Sequence, residues 1–386
     1  MNFGIVELDA EQLAFVEEVR ALLTEHWVPD PHAVSLDHER PPRELLELLA
    51  ERGWVHPRAP KEQGGAGLGP VEERLLALLF DDHRVPACGN GLFLPTVYEY
   101  GTDELKATVL PDLESGRATF CIGYTEPDSG SDVAAARTRA VRTEDGWLVN
   151  GSKMFTTYAQ DADYCFLLAR TGAIEDKHGG LTMFVVPMRS AGVEVRPVLG
   201  MGGIRTNVTY YRDVRLPDWC RLGEVGEGWK VLAGPLAEEH GLSGADPLAE
   251  LNGSMGATFT RILERMVEYA VDWALAPAAG TGEAPIDDPL VRDVLTAALQ
   301  DVEVCRSTPS SYGKVLAAAT LQRQADTLLD LTSPAGLLDR GAPGAIAHGV
   351  LAWARLFAPA TDVYGGTSEI YRNNLARGQL GLPRPR

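Results

Sequence analysis

Basic residues are scarce in this chain: 35 lysines and arginines stand against 54 aspartates and glutamates, for a net charge of −19. A surface of that sign repels phosphate backbones, which excludes nucleic acid as a bulk partner. It leaves room for a phosphorylated small ligand held by a local cluster of donors. Cysteine is scarcer still. Cys88, Cys121, Cys165, Cys220 and Cys305 are scattered, odd in number and form no CxxC pair or Cys/His cluster. Neither a disulfide framework nor a metal site is expected, and a reducing cytoplasm is. No apolar run approaches the ~20 residues that span a bilayer. Met1–Gln12 is acidic and carries no signal-like apolar segment.

What is present suffices for two or three domains with buried cores: 386 residues, 45% of them hydrophobic. Residues 1–117 read as helical. Asp9 and Gln12 form a capping-box pattern, Leu8 is placed to staple onto Leu13, and Phe15, Val19, Leu22 and Leu23 recur on one face. Arg43–Ala50 and Val71–Phe80 are two further helices. The glycine-rich run Pro60–Leu68 between them has no Lys-Ser/Thr after it and no strand before it, so it reads as a turn.

The character changes over 118–225, where short apolar runs alternate with turn signals. Tyr164–Ala169, Leu181–Pro187, Val193–Val198 and Thr209–Leu216 read as strands, and Asp145-Gly146 as a hairpin turn. Helical periodicity returns over 226–386. Ile262, Met266, Tyr269 and Trp273 share a face; Asp288-Pro289 caps a helix running to about Arg306; Lys314–Leu331 and Ala345–Leu356 follow. The fold class is α+β, in the order helical, β, helical.

Two runs in the β block stand out: Tyr124-Thr125-Glu126-Pro127-Asp128-Ser129-Gly130-Ser131-Asp132 and Asn150-Gly151-Ser152-Lys153-Met154-Phe155-Thr156-Thr157. Both set small hydrogen-bonding residues beside glycine, as a backbone must to lie against a flat polar cofactor such as a flavin. Turn chemistry alone accounts for Pro127 and Gly130 but not for the pair of runs. Tyr211-Arg212-Asp213-Val214-Arg215-Leu216-Pro217 and Gly365-Gly366-Thr367-Ser368-Glu369-Ile370 complete a set of four.

In this order and at these separations the four motifs resemble those of the acyl-CoA dehydrogenase family, over essentially the whole chain. The resemblance implies a helical N-terminal domain, a central β-barrel-like domain and a C-terminal helical bundle. It implies FAD as cofactor, with Tyr124 and Thr125 against the flavin ring, Gly130 and Ser131 near the pyrophosphate, Phe155 as the aromatic wall, Thr157 on the flavin edge, and Thr367 and Glu369 on the adenosine side. The activity implied is α,β-dehydrogenation of an acyl thioester carried by CoA or by a carrier protein, with an electron-transfer flavoprotein as acceptor. A base in a dry pocket is needed to remove the weakly acidic α-proton.

Many members of that family place the base immediately before Gly-Thr in the last motif. Here that position is Gly365. A second subgroup carries it on the first helix of the C-terminal domain. Counting along Gly226-Glu227-Gly228-Trp229 to Leu236-Ala237-Glu238-Glu239-His240, it falls on Glu239. Glu238 points about 100° away and cannot share that direction. Two adenosine-side motifs of the family's homo-oligomers, Arg-x-x-Phe-Gly and Gln-x-x-Gly-Gly, are missing; the chain reads Asp272-Trp273-Ala274-Leu275-Ala276-Pro277 and Leu331-Thr332-Ser333-Pro334-Ala335-Gly336 there. This resembles one subunit of the heteromeric actinobacterial enzymes, which needs a homologous partner. A divergent homo-oligomer, a flavin monooxygenase or oxidase on the same scaffold, and a non-catalytic partner subunit are the other readings. The small-residue interval His240–Gly256 is either a widened acyl cavity or a surface loop.

Overall fold

Asp9 caps the first helix as its sequence predicts. In the computed structural model of the chain, its carboxylate accepts from the N–H groups of Glu11 and Gln12, and Gln12 returns a bond to the Asp9 N–H. The structure describes residues 7–29, 41–86, 93–239, 255–277, 282–308 and 310–383. Two compact units divide the chain. The first comprises Met1–Glu126, Ala134–Val195 and Asn207–Leu232; the second comprises Pro127–Val133, Arg196–Thr206 and Ala233–Arg386.

Among the described residues the first unit begins with five α-helices: α1 (Ala10–His26), α2 (Arg43–Glu51), α3 (Pro70–Asp82), α4 (Phe93–Tyr100) and α5 (Asp103–Glu114). Val19, Leu22 and Leu23 of α1 pack with Leu45, Leu49, Trp54 and Leu79 in one apolar core. Leu8 lies against that core, while Leu13 is 52% exposed, because α1 turns its Val16–Val19–Leu23 stripe inward. Pro60–Leu68 is a turn with left-handed Gly64 and Gly67. Gly65 is required there, since a Cβ would sit 2.0 Å from the Ala59 carbonyl oxygen.

Eight strands follow: β1 (Phe120–Gly123), β2 (Arg139–Thr143), β3 (Gly146–Lys153), β4 (Tyr164–Arg170), β5 (Leu181–Pro187), β6 (Val193–Leu199), β7 (Arg205–Leu216) and β8 (Arg221–Leu222). Their order is β6-β7-β3-β2-β4-β5-β8, with β1 parallel to β4. β4 and β5 are buried along nearly their whole length, which is why both read as continuous apolar runs. The β2–β3 hairpin forms with Glu144 and Asp145 as its loop. Gly146 is already paired with Thr143, and its φ of 144° allows the Leu216 carbonyl to approach where a Cβ would stand.

Helix α6 (Gly228–Glu239) begins in the first unit and ends in the second. The second unit also holds α7 (Met255–Leu275), α8 (Pro289–Arg306), α9 (Ser310–Leu331), α10 (Val350–Phe357) and α11 (Ser368–Asn374). Asp288 caps α8 by accepting from the Leu290 N–H. The helix expected from Ala345 starts only at Val350. Ala347, His348 and Gly349 are all left-handed, and a right-handed helix cannot run through them. Among the described residues, no helix is long and apolar enough to cross a membrane.

Candidate functional site

Strand β3 alternates inward and outward, and its inward parity (Trp147, Val149) ends on Lys153. This lysine is fully buried. Its ammonium donates to the Glu126 carboxylate at 2.8 Å and to the Tyr124 carbonyl at 3.1 Å. Glu126 also accepts from the N–H groups of Arg137 and Thr138, at 2.7 and 2.8 Å. Burial works against the ionised carboxylate, but Lys153 and the two N–H groups outweigh it and hold Glu126 below the ordinary carboxylate range. Burial likewise draws Lys153 below the ordinary lysine range, against the pull of Glu126. The pair joins the two sequence motifs, and the Met154 N–H adds a bond to the Thr125 carbonyl at 2.8 Å.

Beyond Lys153 the chain turns sharply. Phe155 has φ 59° and Tyr158 has φ 65°. A left-handed conformation costs a non-glycine residue ~1–2 kcal/mol, so the surroundings must impose it. They do so through Asn207, whose side chain donates to the Thr156 carbonyl (2.9 Å) and to Gln160 (2.7 Å) and whose main-chain carbonyl accepts from the Thr156 N–H. Thr156 is buried, Thr157 is half-buried, and Phe155 is 57% exposed. Phe155 is thus an exposed aromatic on a left-handed turn.

Arg170 makes the third brace. Its guanidinium is buried and donates to the carbonyls of Ala134 (2.6 Å), Ala136 (3.1 Å) and Asp176 (2.9 Å). It ties the chain after the first motif to the β4–β5 connection.

In the second unit Gly130 and Ser131 are exposed. Ser129 is buried, and its hydroxyl has no hydrogen-bond partner among the described residues. Gly365 and Gly366 are both left-handed, with φ 64° and 83°. Thr367 caps α11 by accepting from the Ile370 N–H at 3.2 Å, which leaves its own O–H proton available. Glu369 is exposed and 3.5 Å from Arg372. Glu239 ends α6, but its side chain, like those of 235–238, lies outside the described residues, as does the interval 240–254.

Lys153 and Glu126 lie within the two motifs but carry no role legible there, and Asn207 and Arg170 lie outside them. The signal for Lys153 was present: its parity on β3 points inward, and a buried ammonium requires a carboxylate. Arg170 bonds to backbone carbonyls, and Asn207 divides its side-chain bonds between the Thr156 carbonyl and the distant Gln160, so neither partner set shows as a local pattern.

The family model described as acyl-CoA dehydrogenase, N-terminal domain, matches residues 9–117, and the one described as acyl-CoA dehydrogenase, middle domain, matches residues 121–214. Acyl-CoA dehydrogenase FadE29 of Mycobacterium tuberculosis is 34% identical over 297 residues, covering 75% of this chain and 72% of the relative. The ChsE4-ChsE5 complex from Mycobacterium tuberculosis contains a chain 29% identical, with a TM-score of 0.81, covering 99% of this chain and 100% of that one. The Tcur3481-Tcur3483 steroid ACAD is 28% identical, with a TM-score of 0.82, covering 98% and 99%.

Proposed function

The chain belongs to the acyl-CoA dehydrogenase family, and from that premise we propose that it dehydrogenates an acyl thioester across its α,β bond, with Glu239 as the base. Members of this family are FAD-dependent oxidoreductases. The residues present fit that cofactor. Ser129 holds a buried hydroxyl without a partner among the described residues, and Phe155 presents a strained, exposed ring of the kind that lies against a flat heterocycle. Bound FAD supplies the acceptor for the β-hydride.

The single observation that carries this reading is the buried Lys153–Glu126 pair, which locks the Tyr124–Glu126 segment to the Lys153–Thr157 turn. Tyr124, Thr125, Phe155 and Thr157 line the ring. Gly130 and Ser131 meet the pyrophosphate, and Thr367 and Glu369 the adenosine side. Phe155 excludes water from the reacting face. Glu239 takes the α-proton on its carboxylate while the thioester carbonyl is held by donors. The left-handed Gly365 carries no side chain at the family's other base position. Phe155→Gly tests the wall. Relief of left-handed strain offsets the lost partial burial, so folding stability should change by no more than ~1 kcal/mol. FAD affinity should fall by on the order of tenfold. Unchanged affinity in a flavin-fluorescence titration would remove Phe155 from the site.

The missing Arg-x-x-Phe-Gly and Gln-x-x-Gly-Gly motifs support a shared site completed by a homologous subunit. The likeness to the ChsE4-ChsE5 complex favours the same reading, and the likeness to a steroid ACAD favours a bulky acyl group. An electron-transfer flavoprotein would take the electrons onward. The chain purified alone is expected to hold well under one FAD per chain. Stoichiometric FAD with full turnover of acyl-CoA would exclude the shared site.

A further inference from the structure

Lys314 of α9 is fully buried, and nothing in the reading above uses it. Its level is fixed by a close helix crossing: a Cβ on Gly256 of α7 would lie 2.7 Å from the Lys314 amide nitrogen and 2.6 Å from the Gly313 carbonyl carbon. From there its ammonium reaches the Ser368 hydroxyl at 3.3 Å and lies 5.2 Å from the centre of the Tyr371 ring. Ser368 donates to one Asp362 oxygen at 2.6 Å, and Gln322 of α9 donates to the other at 2.9 Å. Ser368 and Thr361 are both buried beside this chain of bonds. A buried cation joined through one buried hydroxyl to a half-buried carboxylate forms a rigid network, because the ammonium left unpaired would carry a large desolvation penalty.

Ser368 stands between Thr367 and Glu369. The network therefore terminates inside the motif that the proposed function assigns to the adenosine side of FAD. We propose that Lys314 is a positioning residue for the cofactor, fixing the first turn of α11 through Ser368 and Asp362 so that Thr367 and Glu369 face it preformed. The inference rests on that reading of the motif. The charged and titratable groups facing Lys314 are Asp362 from the turn after α10 and Glu369, Tyr371 and Arg372 from α11. Burial pulls the Lys314 ammonium down to about 8, against Asp362 and Glu369, which raise it. Its proton is thus present below that pH and lost above it.

Lys314→Met keeps the apolar stem and removes the ammonium. Measured by flavin fluorescence in the assembly that binds FAD, Kd should rise by on the order of tenfold. Hydrogen exchange at the Thr367–Tyr371 amides of the FAD-free chain should speed up. In the unsubstituted chain Kd should be flat below pH 8 and climb above it, and Lys314→Met should abolish that climb. Ser368→Ala interrupts the same network with a smaller change and carries the test if Lys314→Met does not fold. Unchanged Kd and exchange in these variants, while Thr367→Val still weakens FAD, would overturn the role of Lys314. Thr367→Val that leaves Kd unchanged would instead overturn the assignment of the motif.

Discussion

Glu239→Gln is expected to slow anaerobic bleaching of the flavin by acyl thioester by ~10²–10⁴-fold, the contribution usual for a positioned general base. The amide is nearly isosteric, so FAD content and the folded state should be retained. Only the capacity to accept the α-proton is lost. Glu238→Gln is the control: a neighbouring helix position points about 100° away and should leave the rate within a few-fold. Bleaching of the Glu239 variant at the unsubstituted rate would exclude Glu239 as the base. The experiment is also informative about Gly365. That residue is left-handed and has no side chain, so it cannot compensate as it could in relatives that carry a carboxylate there.

The second large effect belongs to Lys153. Lys153→Met leaves the Glu126 carboxylate buried with the two N–H groups of Arg137 and Thr138 as its remaining partners. Breaking a buried pair in this way costs ~3–5 kcal/mol, measured as a shift in the denaturant midpoint. Flavin binding should fall with it, since the Tyr124 carbonyl loses its anchor. Adding Glu126→Gln removes the unpaired charge and should restore much of the stability. The tie between the motifs stays broken, so FAD affinity should not recover. If the double variant regains both, the pair contributes stability alone and does not organise the site.

Much of this was legible in the chain. The Asp9 box, the Asp288 cap and the apolar runs of β4 and β5 are local signals, and each forms where the sequence places it. The errors lie where tertiary contact overrides a local pattern. Leu13, spaced as a staple, stays half-exposed while the helix buries Val16 and Val19. Residues 347–349 read as helix, yet their backbone is left-handed, and Gly349 lies too close to Asp339 and Arg340 to admit a Cβ. In the candidate site the outward groups were visible as motif letters. The braces behind them were not, because the partners of Asn207 and Arg170 are mostly carbonyls that every residue possesses.

That last point bears on how this protein can vary. Arg170 anchors the β4–β5 connection through main-chain oxygens of Ala173, Asp176 and Lys177, and the side chains over 173–179 are exposed. The anchor does not read those side chains, so positions there that make no other contact can vary without loosening its hold; Asp176, which accepts from the Gly179 N–H, and His178, which stacks on Trp229, are tied separately. Arg170 itself has no such freedom. A lysine offers three donors from a single point, where the planar fork reaches carbonyls on two separate segments at once. Constraint thus falls on Arg170 and on Gly180 beside it, where a Cβ would stand 2.7 Å from the Arg170 Nη1.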